Sequence, residues 1–441
     1  MKLKLSILSV VALLIAGCAS RDIASNADLD IYIKKPAFTI SSTIFDCSEV
    51  APITDGKVQE IFNKFNVPVT MTPRVQYYLK YFAETNRDTM QRWLDRSNKY
   101  MYIVRDIFQR EGVPLDLVAL SFTESGFNPH ATSRAGAVGM WQFMPSTGRM
   151  YGLESDSWVD ERQDFEKSTV AAANHLKDLY ARFGDWYLAL AAYNAGSGRI
   201  SSATRRHNSK DFFTIASKRT LKLETRDYVP KYMAHLMIYK NMAQYGFTLP
   251  AEMPLLYDEI TLSTPVNLYA LAQEANYAIA QLKELNPELR TPMTPPVDSY
   301  TLRIPIGTKD RVVAVMNNRN IDLARYHIYI AEQGENLEQI AIDNGVDLDD
   351  LKRLNNLSNN SLYSSKLLFI PNSQRYSAID DAFAADIAKL APRYYTVRKG
   401  DNFTTISKKH NMSLTALTRL NPKINPRKIY PGQVIVVSVG S

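Results

Sequence analysis

Cysteine is nearly absent. Cys18 and Cys47 are the only two in 441 residues, so no disulfide framework supports the fold and core packing must do so. Histidine is scarce as well, with six, and none has a second histidine, cysteine or carboxylate at metal-ligand spacing. No metal or other cofactor is expected, and His175 and His235, inside helical patterns, read as ordinary core or surface histidines. Long apolar runs are missing too: the main one, Leu5 to Ala16, is too short for a comfortable membrane span. Acid is the minority charge, 45 Asp and Glu against 52 Lys and Arg for a net +7, which suits an anionic partner. Zinc-finger spacing, a basic zipper helix and RNA-recognition signatures are all lacking, so nucleic acid is not expected and an anionic wall polymer fits better. What is present is an ordinary 45% hydrophobic content, that of a globular, multidomain chain rather than a disordered or polytopic one.

The first residues pair two lysines with a short apolar stretch and small residues, the pattern of a secretory signal over residues 1–17. Its end, Leu14-Ile15-Ala16-Gly17-Cys18, resembles the bacterial lipobox. That resemblance implies a lipidated Cys18 holding the protein to a membrane, since several acyl chains anchor firmly where one does not. Ala19 follows in place of the aspartate that resembles an inner-membrane retention signal. The expected location is therefore the outer membrane, facing the periplasm. Residues 18–70 read as a tether and poorly patterned N-terminal segment, in which Cys47 has no histidine nearby and is a bland thiol.

From 71 to 248 the apolar pattern is helical: Tyr77-Tyr78, Tyr81-Phe82, Trp93, Tyr100, Ile103-Val104 and Ile107-Phe108 recur at helix-face spacing. Pro114 suits the first turn of a helix leading through Leu117, Val118, Leu120 and Ser121 to Glu124. Ser168 is expected to cap a helix that ends at Gly184, and Asp185 to cap the next. About seven to nine short helices are predicted, and most of the tyrosines belong to their core.

Beyond Tyr245 the chain repeats itself. Residues 329–355, YIAEQGENLEQIAIDNGVDLDDLKRLN, align without gaps on 395–421, YTVRKGDNFTTISKKHNMSLTALTRLN. A fainter copy places Leu268, Leu271-Ala272, Leu282, Leu285 and Asn286 at the corresponding positions. Each unit reads strand, helix, helix, strand. The repeats resemble the LysM module, carried most fully by Tyr395-Thr-Val, Gly400-Asp401, Ile406, Leu417, Leu420-Asn421-Pro422 and Pro431-Gly432-Gln433. The resemblance implies binding of N-acetylglucosamine-containing chains, with Gly400, Asp401, Asn421 and Pro422 as carbohydrate contacts. Three modules are expected, at 257–307, 326–371 and 393–438, the first degenerate because Pro265-Val266 replaces the Gly-Asp turn, the middle one having Ser364-Ser365 for Pro431-Gly432. Seven acids oppose three basic residues from Tyr326 to Pro371, whereas nine basic residues face Asp401 alone from Arg393 to Ser441. The last copy should therefore supply most of the affinity for an anionic wall.

Glu124 opens the run TESGFNPHATSRAGAVGMWQFMPSTG. A carboxylic acid kept protonated near neutral pH is the minimum equipment for breaking a glycosidic bond, and burial by Phe122, Phe127 and Met140 is expected to raise its pKa. The blocks ESGFNPHATSRAGAVGMWQF, AAYNAG at 191–196 and ETRDYVPKY at 224–232 resemble the lysozyme-like soluble lytic transglycosylase family. The fold class implied is multidomain: an all-α lysozyme-like catalytic domain, its motif core at 95–245, followed by small βααβ LysM modules.

Carried over by motif, Glu124 is the acid and base, Ser133 its polar neighbour, Met140 and Gln142 substrate contacts. Tyr193 and Asn194 line the site, Tyr193 orienting the acid, and Tyr228 closes it. Gly136 and Gly139 are expected to let backbone approach a sugar. Trp141 stands where many relatives have another residue, which bears on the neighbouring subsite. The implied reaction cleaves the β-1,4 bond between N-acetylmuramic acid and N-acetylglucosamine, the muramoyl 6-hydroxyl closing on its own anomeric carbon to leave a 1,6-anhydro end. Rival readings are a hydrolytic lysozyme using Asp156, Asp160 or Asp164 as second carboxylate, and a silent wall-binding lipoprotein. The expected partners are peptidoglycan strands and a membrane, with the chain a monomer.

Overall fold

The computed structural model describes residues 67–441 except 249, 333, 359, 361, 363–365, 373–377, 391–392, 411–413, 415–416, 419–420, 422–423 and 439–441. Cys18, Cys47 and Pro422, and with them the signal, the tether and the Ser364-Ser365 difference, lie outside the described residues.

Residues 67–247 share one core, built by nine α-helices among the described residues. Three of them, Arg87–Arg110, Lys167–Phe183 and Leu223–Lys240, are 24, 17 and 18 residues long and so exceed the short helices expected. In the first, Met90, Leu94, Ser97, Met101, Val104 and Phe108 continue one buried stripe without a breaker. Trp186–Ala195 is buried on nearly every side from Tyr187 to Ala192 and forms the centre around which the others pack. Asp185 caps it, accepting from the Leu188 amide at 2.8 Å, as expected. Gly184 ends the preceding helix at φ +66°, also as expected.

Two local expectations fail. Ser168 does not cap: it lies inside its helix, its hydroxyl bonded to the Asp164 carbonyl at 2.5 Å, while the Asp164 carboxylate takes the Glu166 and Lys167 amides at 2.8 Å each. A carboxylate meets both the orphan amides and the positive end of the helix better than a hydroxyl. Pro114 sits one position earlier than expected, as the extended residue before a 3-10 turn, Leu115–Ala119, that leads into the short helix Leu120–Glu124.

Each repeat contributes an antiparallel strand pair: Tyr257–Leu262 with Tyr300–Pro305, Tyr326–Ala331 with Lys366–Pro371, and Arg393–Thr396 with Val434–Ser438. Asn267, Asn336 and Asn402 cap the first helix of each copy through their side-chain oxygens. One asparagine in each copy is a buried pin. Asn286, Asn355 and Asn421 each take the amide of the closing strand, at Arg303, Phe369 and Val436, and donate to that residue's carbonyl and to the helix. Two further helices, Lys309–Asn317 and Ala378–Leu390, follow the first two copies, and Val312 joins the first copy's core from beyond 307.

The first copy is docked on the helical domain through residues 154–166. The Asp160 amide donates to the Glu288 carbonyl at 2.8 Å and the Arg290 amide to the Trp158 carbonyl at 2.8 Å. Arg303, buried, reaches Asp164 at 3.0 Å and Glu166 at 2.8 Å, with its guanidinium 4.5 Å from the Phe165 ring centroid. The second copy touches the same loop, Phe369 meeting Trp158 edge-on at 6.0 Å. The buried apolar core of the third copy, by contrast, comes entirely from Tyr395 to Val437.

Candidate active site

Glu124 is the last residue of its helix, and the chain reverses immediately beyond it with Gly126 and Phe127 both at φ +60°. A Cβ on Gly126 would lie 2.4 Å from the Trp93 ring, so only glycine lets the turn seat against helix Arg87–Arg110. Ser125 fixes the turn from inside, donating to the Met140 carbonyl at 2.8 Å and accepting from the Asn128 amide at 3.0 Å. Behind it Thr123 bonds His235 Nδ1 at 3.0 Å, and that ring packs 4.2 Å from Phe82. Burial holds His235 neutral in the core, its pKa lowered to about 3, and lowers that of half-buried His175 to about 4. Among the described residues no cluster of three or more His, Cys, Asp or Glu could hold a metal.

Tyr228 donates its hydroxyl to Glu124 Oε1. The residue keeps some exposure, yet its carboxyl is surrounded by protein, and burial pushes its pKa from 4.5 up to about 7. The Tyr228 hydrogen bond opposes that rise and the negative field of Glu224 adds to it. A group titrating there can give up a proton and take one back at neutral pH. Phe122, Phe127 and Met140 are all fully buried at this end of the helix.

The other expected site residues are distributed differently. Tyr193 does not hydrogen-bond the acid; it donates to the Trp141 carbonyl at 2.9 Å, and its ring packs tilted against His175 at 4.8 Å. Its phenol still feels the charge of Glu124, so it lies close, but Tyr228 makes the orienting bond. Asn194 accepts from Thr225 at 2.9 Å, tying together the two helices that carry the tyrosines. Gln142, at φ +51°, donates from Nε2 to the Gly139 and Ala131 carbonyls at 2.9 and 3.1 Å, which aims Oε1 as the acceptor end of the side chain. Ser133 accepts from the Ala137 amide at 2.9 Å, so its oxygen shapes the turn from 133 to 137.

Met140 and Trp141 need correction as subsite residues. Both side chains are fully buried, and Trp141 donates to Thr169 at 2.8 Å while stacking on Phe108 at 5.3 Å. Their backbone carbonyls accept from Ser125 and Tyr193. Gly139 serves a protein contact in place of a sugar: its Cβ would fall 1.7 Å from the Arg162 carbonyl. Arg162 in turn braces the segment, donating to the Gly136 and Phe143 carbonyls at 3.1 and 3.2 Å.

The three rival carboxylates are all engaged. Asp156 accepts the Trp158 and Val159 amides, Asp160 is buried between Arg162 and Arg290 at 2.7 and 2.9 Å, and Asp164 caps a helix and pairs with Arg303. Sequence reasoning gave no role to Glu224, Arg162 or Thr123. Glu224 stands in a quoted block, but spacing cannot tell which of its polar residues faces the acid.

In the last repeat Gly400 adopts φ +91° in the turn, as its type requires. Asn421 is a correction case, and Asp401 is tied into the module. Asp401 accepts from the Tyr395 hydroxyl at 2.7 Å and the Arg398 amide at 2.8 Å, as Glu335 does from Tyr329 in the middle copy, and Asn421 is the buried pin. Both hold the module together.

Comparison with known proteins follows the same division. A Transglycosylase SLT domain matches residues 103–215, LysM domains match 329–371 and 395–438, and the LysM-like domain of lytic transglycosylase MltD matches 257–320. The membrane-bound lytic murein transglycosylase D of Escherichia coli K12 is 32% identical over 365 residues, covering 78% of this chain and 77% of the relative. The membrane-bound lytic murein transglycosylase F of Shewanella denitrificans is 32% identical over 147 residues, 30% of this chain and 28% of its own. Among solved structures, an inactive variant of lytic transglycosylase Slt from Pseudomonas aeruginosa is 26% identical over 35% of this chain and 25% of its own, with a TM-score of 0.28. By its identity and mutual coverage with the Escherichia coli protein, the chain belongs to the membrane-bound lytic murein transglycosylase D family.

Proposed function

We propose that this chain is a peptidoglycan lytic transglycosylase in which Glu124 alone carries the proton chemistry. Protonated, Glu124 gives its proton to the oxygen between N-acetylmuramic acid and N-acetylglucosamine as that bond breaks. The resulting carboxylate takes the proton of the muramoyl 6-hydroxyl, which bonds to its own anomeric carbon and leaves a 1,6-anhydro end. The nucleophile is already tethered, so the entropic cost of capturing water is avoided. Tyr228 holds the carboxyl in place, and the Gln142 oxygen is the acceptor for a sugar hydroxyl or amide.

One observation carries this reading: a carboxyl raised to about 7 and bonded by Tyr228, while the three rival carboxylates, Asp156, Asp160 and Asp164, are spent on amides and arginines. A hydrolase built on two carboxylates needs the second one facing the cleft. The LysM copies bind the glycan; anchoring by lipidated Cys18 to the outer membrane, a monomeric state and the domain limits at 71–248, 257–307, 326–371 and 393–438 complete the proposal. Glu124→Gln is expected to abolish release of anhydromuramoyl ends from purified sacculi while the protein still sediments with them. Reducible muramoyl ends from the unaltered protein, or persistent cleavage by the variant, would overturn it.

A further inference from the structure

A cavity of about 670 Å³ opens where the first LysM-like copy meets the helical domain, walled by helix Arg87–Arg110, the loop Asn128–His130, residues 286–292 and helix Ala378–Leu390. Five cations line it, Arg96, Lys99, Lys283, Arg290 and Lys389, against two acids, Glu284 and Asp386. The neutralisation is incomplete. Asp386 is shared by Lys283 and Lys389, and Asp160 by Arg290 and Arg162. Lys99 is matched by Glu284 at 2.5 Å and Glu252 at 3.4 Å. Arg96 has no carboxylate within ion-pair distance among the described residues; its Nη1 donates to the Gly126 carbonyl at 2.9 Å. That carbonyl lies two residues beyond Glu124, so a side chain lining the cavity is bonded to the turn that carries the acid.

We infer that this cavity binds the carboxylates of the acidic peptide stem attached to the muramic acid, with Arg96 and Lys389 as the principal contacts. The inference rests on the transglycosylase reading, because that reading places a stem-bearing sugar beside Glu124. A guanidinium already held through one edge by Gly126 presents its remaining donors in a fixed fork, the geometry that matches a carboxylate. The cavity is a few residues' worth of peptide in size and is made jointly by the helical domain, the first copy and helix Ala378–Leu390, so it belongs to the assembled protein rather than to the catalytic fold alone.

The test uses the full-length protein on two substrates: glycan strands carrying their stems, and the same strands stripped by an amidase. Arg96→Gln and Lys389→Gln are each expected to raise KM on stem-bearing strands about tenfold, the loss of one charge-assisted contact, with kcat and the KM on stripped strands unchanged. Arg96→Lys should recover part of the loss. Equal changes on both substrates from Lys389→Gln, whose side chain is largely exposed, or no change on either, would overturn the site. Should Arg96→Gln unfold the turn, Lys389→Gln still decides. Calorimetric titration of free stem tetrapeptide into the Glu124→Gln protein reads the site without turnover: binding weakened by Lys389→Gln supports it, absence of binding overturns it. Failure of the transglycosylase reading would show separately, as missing anhydro ends on stripped strands.

Discussion

The first and third LysM copies are built alike and placed differently. In both, an asparagine caps the first helix and another is bonded to the closing strand. The strand residue whose amide takes that pin is Arg303 in one and Val436 in the other. Arg303 is buried among Asp164, Glu166 and Glu288, whereas Val436 is half-buried on a module whose core is its own. The pin fixes each module, and in the first copy the residue it holds also joins the module to the helical domain. In the middle copy the same position is Phe369, which packs on Trp158 and Phe383.

Replacing Arg303 should break the first arrangement most severely. Arg303→Met leaves Asp164 and Glu288 buried without their cation, a loss of about 3–5 kcal/mol for a buried ionic partner removed. Unfolding followed by tryptophan fluorescence should shift to lower denaturant for the catalytic unit, with loss of turnover. Val436→Met should leave both untouched. Equal tolerance of the two would mean that the docked geometry contributes nothing.

The pins separate the copies next. Asn421→Ala and Asn286→Ala each strand a buried amide and carbonyl, worth about 2–3 kcal/mol. The first should unfold only the last module, leaving cleavage of soluble strands intact. The second should destabilise the catalytic unit with it. Amide exchange in helix Lys167–Phe183 distinguishes them, because that helix follows directly from Asp164 and Glu166.

How much of this was legible beforehand follows from the kind of signal each feature leaves. The three repeats, the helical domain and Glu124 stood out because each is a pattern: a period of apolar residues, a fixed offset, a motif block. Partners leave no such trace. Asn421 looks like a sugar contact in a string of letters, and only the fold reveals that a strand amide has claimed it. Gly139 was right as a close-approach glycine and wrong in what approaches it, since the Arg162 carbonyl is 23 residues away in sequence. Tyr193 and Tyr228 were both near the acid, but the choice of which donates to it rests on a contact across 104 residues.

Removing residues 393–441 should cost about tenfold in retention on sacculi, from loss of one of several linked binding units, with turnover on soluble strands unchanged. The nine basic residues there oppose a single acid, so the loss should shrink as salt rises. Undiminished retention would transfer the affinity to the acidic middle copy or to the cleft.

The mildest contrast is in pH. Burial, with the neighbouring Asp164 charge, pushes the Glu288 carboxyl well above its usual range, so across that interval the folded joint binds protons that the unfolded chain does not, and stability rises as pH falls. Asp401 is held below its usual value by its bonds to Tyr395 and Arg398, so its contribution is present above the ordinary aspartate range and is lost only in stronger acid. Between pH 8 and 6 the two copies should therefore diverge, by about 1 kcal/mol or less, since a single carboxyl shifted by one unit is worth about 1.4. The Arg303 and Val436 amides are matched reporters because both donate to a pin asparagine. Their exchange, corrected for the intrinsic rate at each pH, should show Arg303 gaining protection on acidification while Val436 stays level, and Glu288→Gln should flatten the Arg303 response. A slope that survives that substitution would assign the proton to another group and leave the two copies alike in their electrostatics.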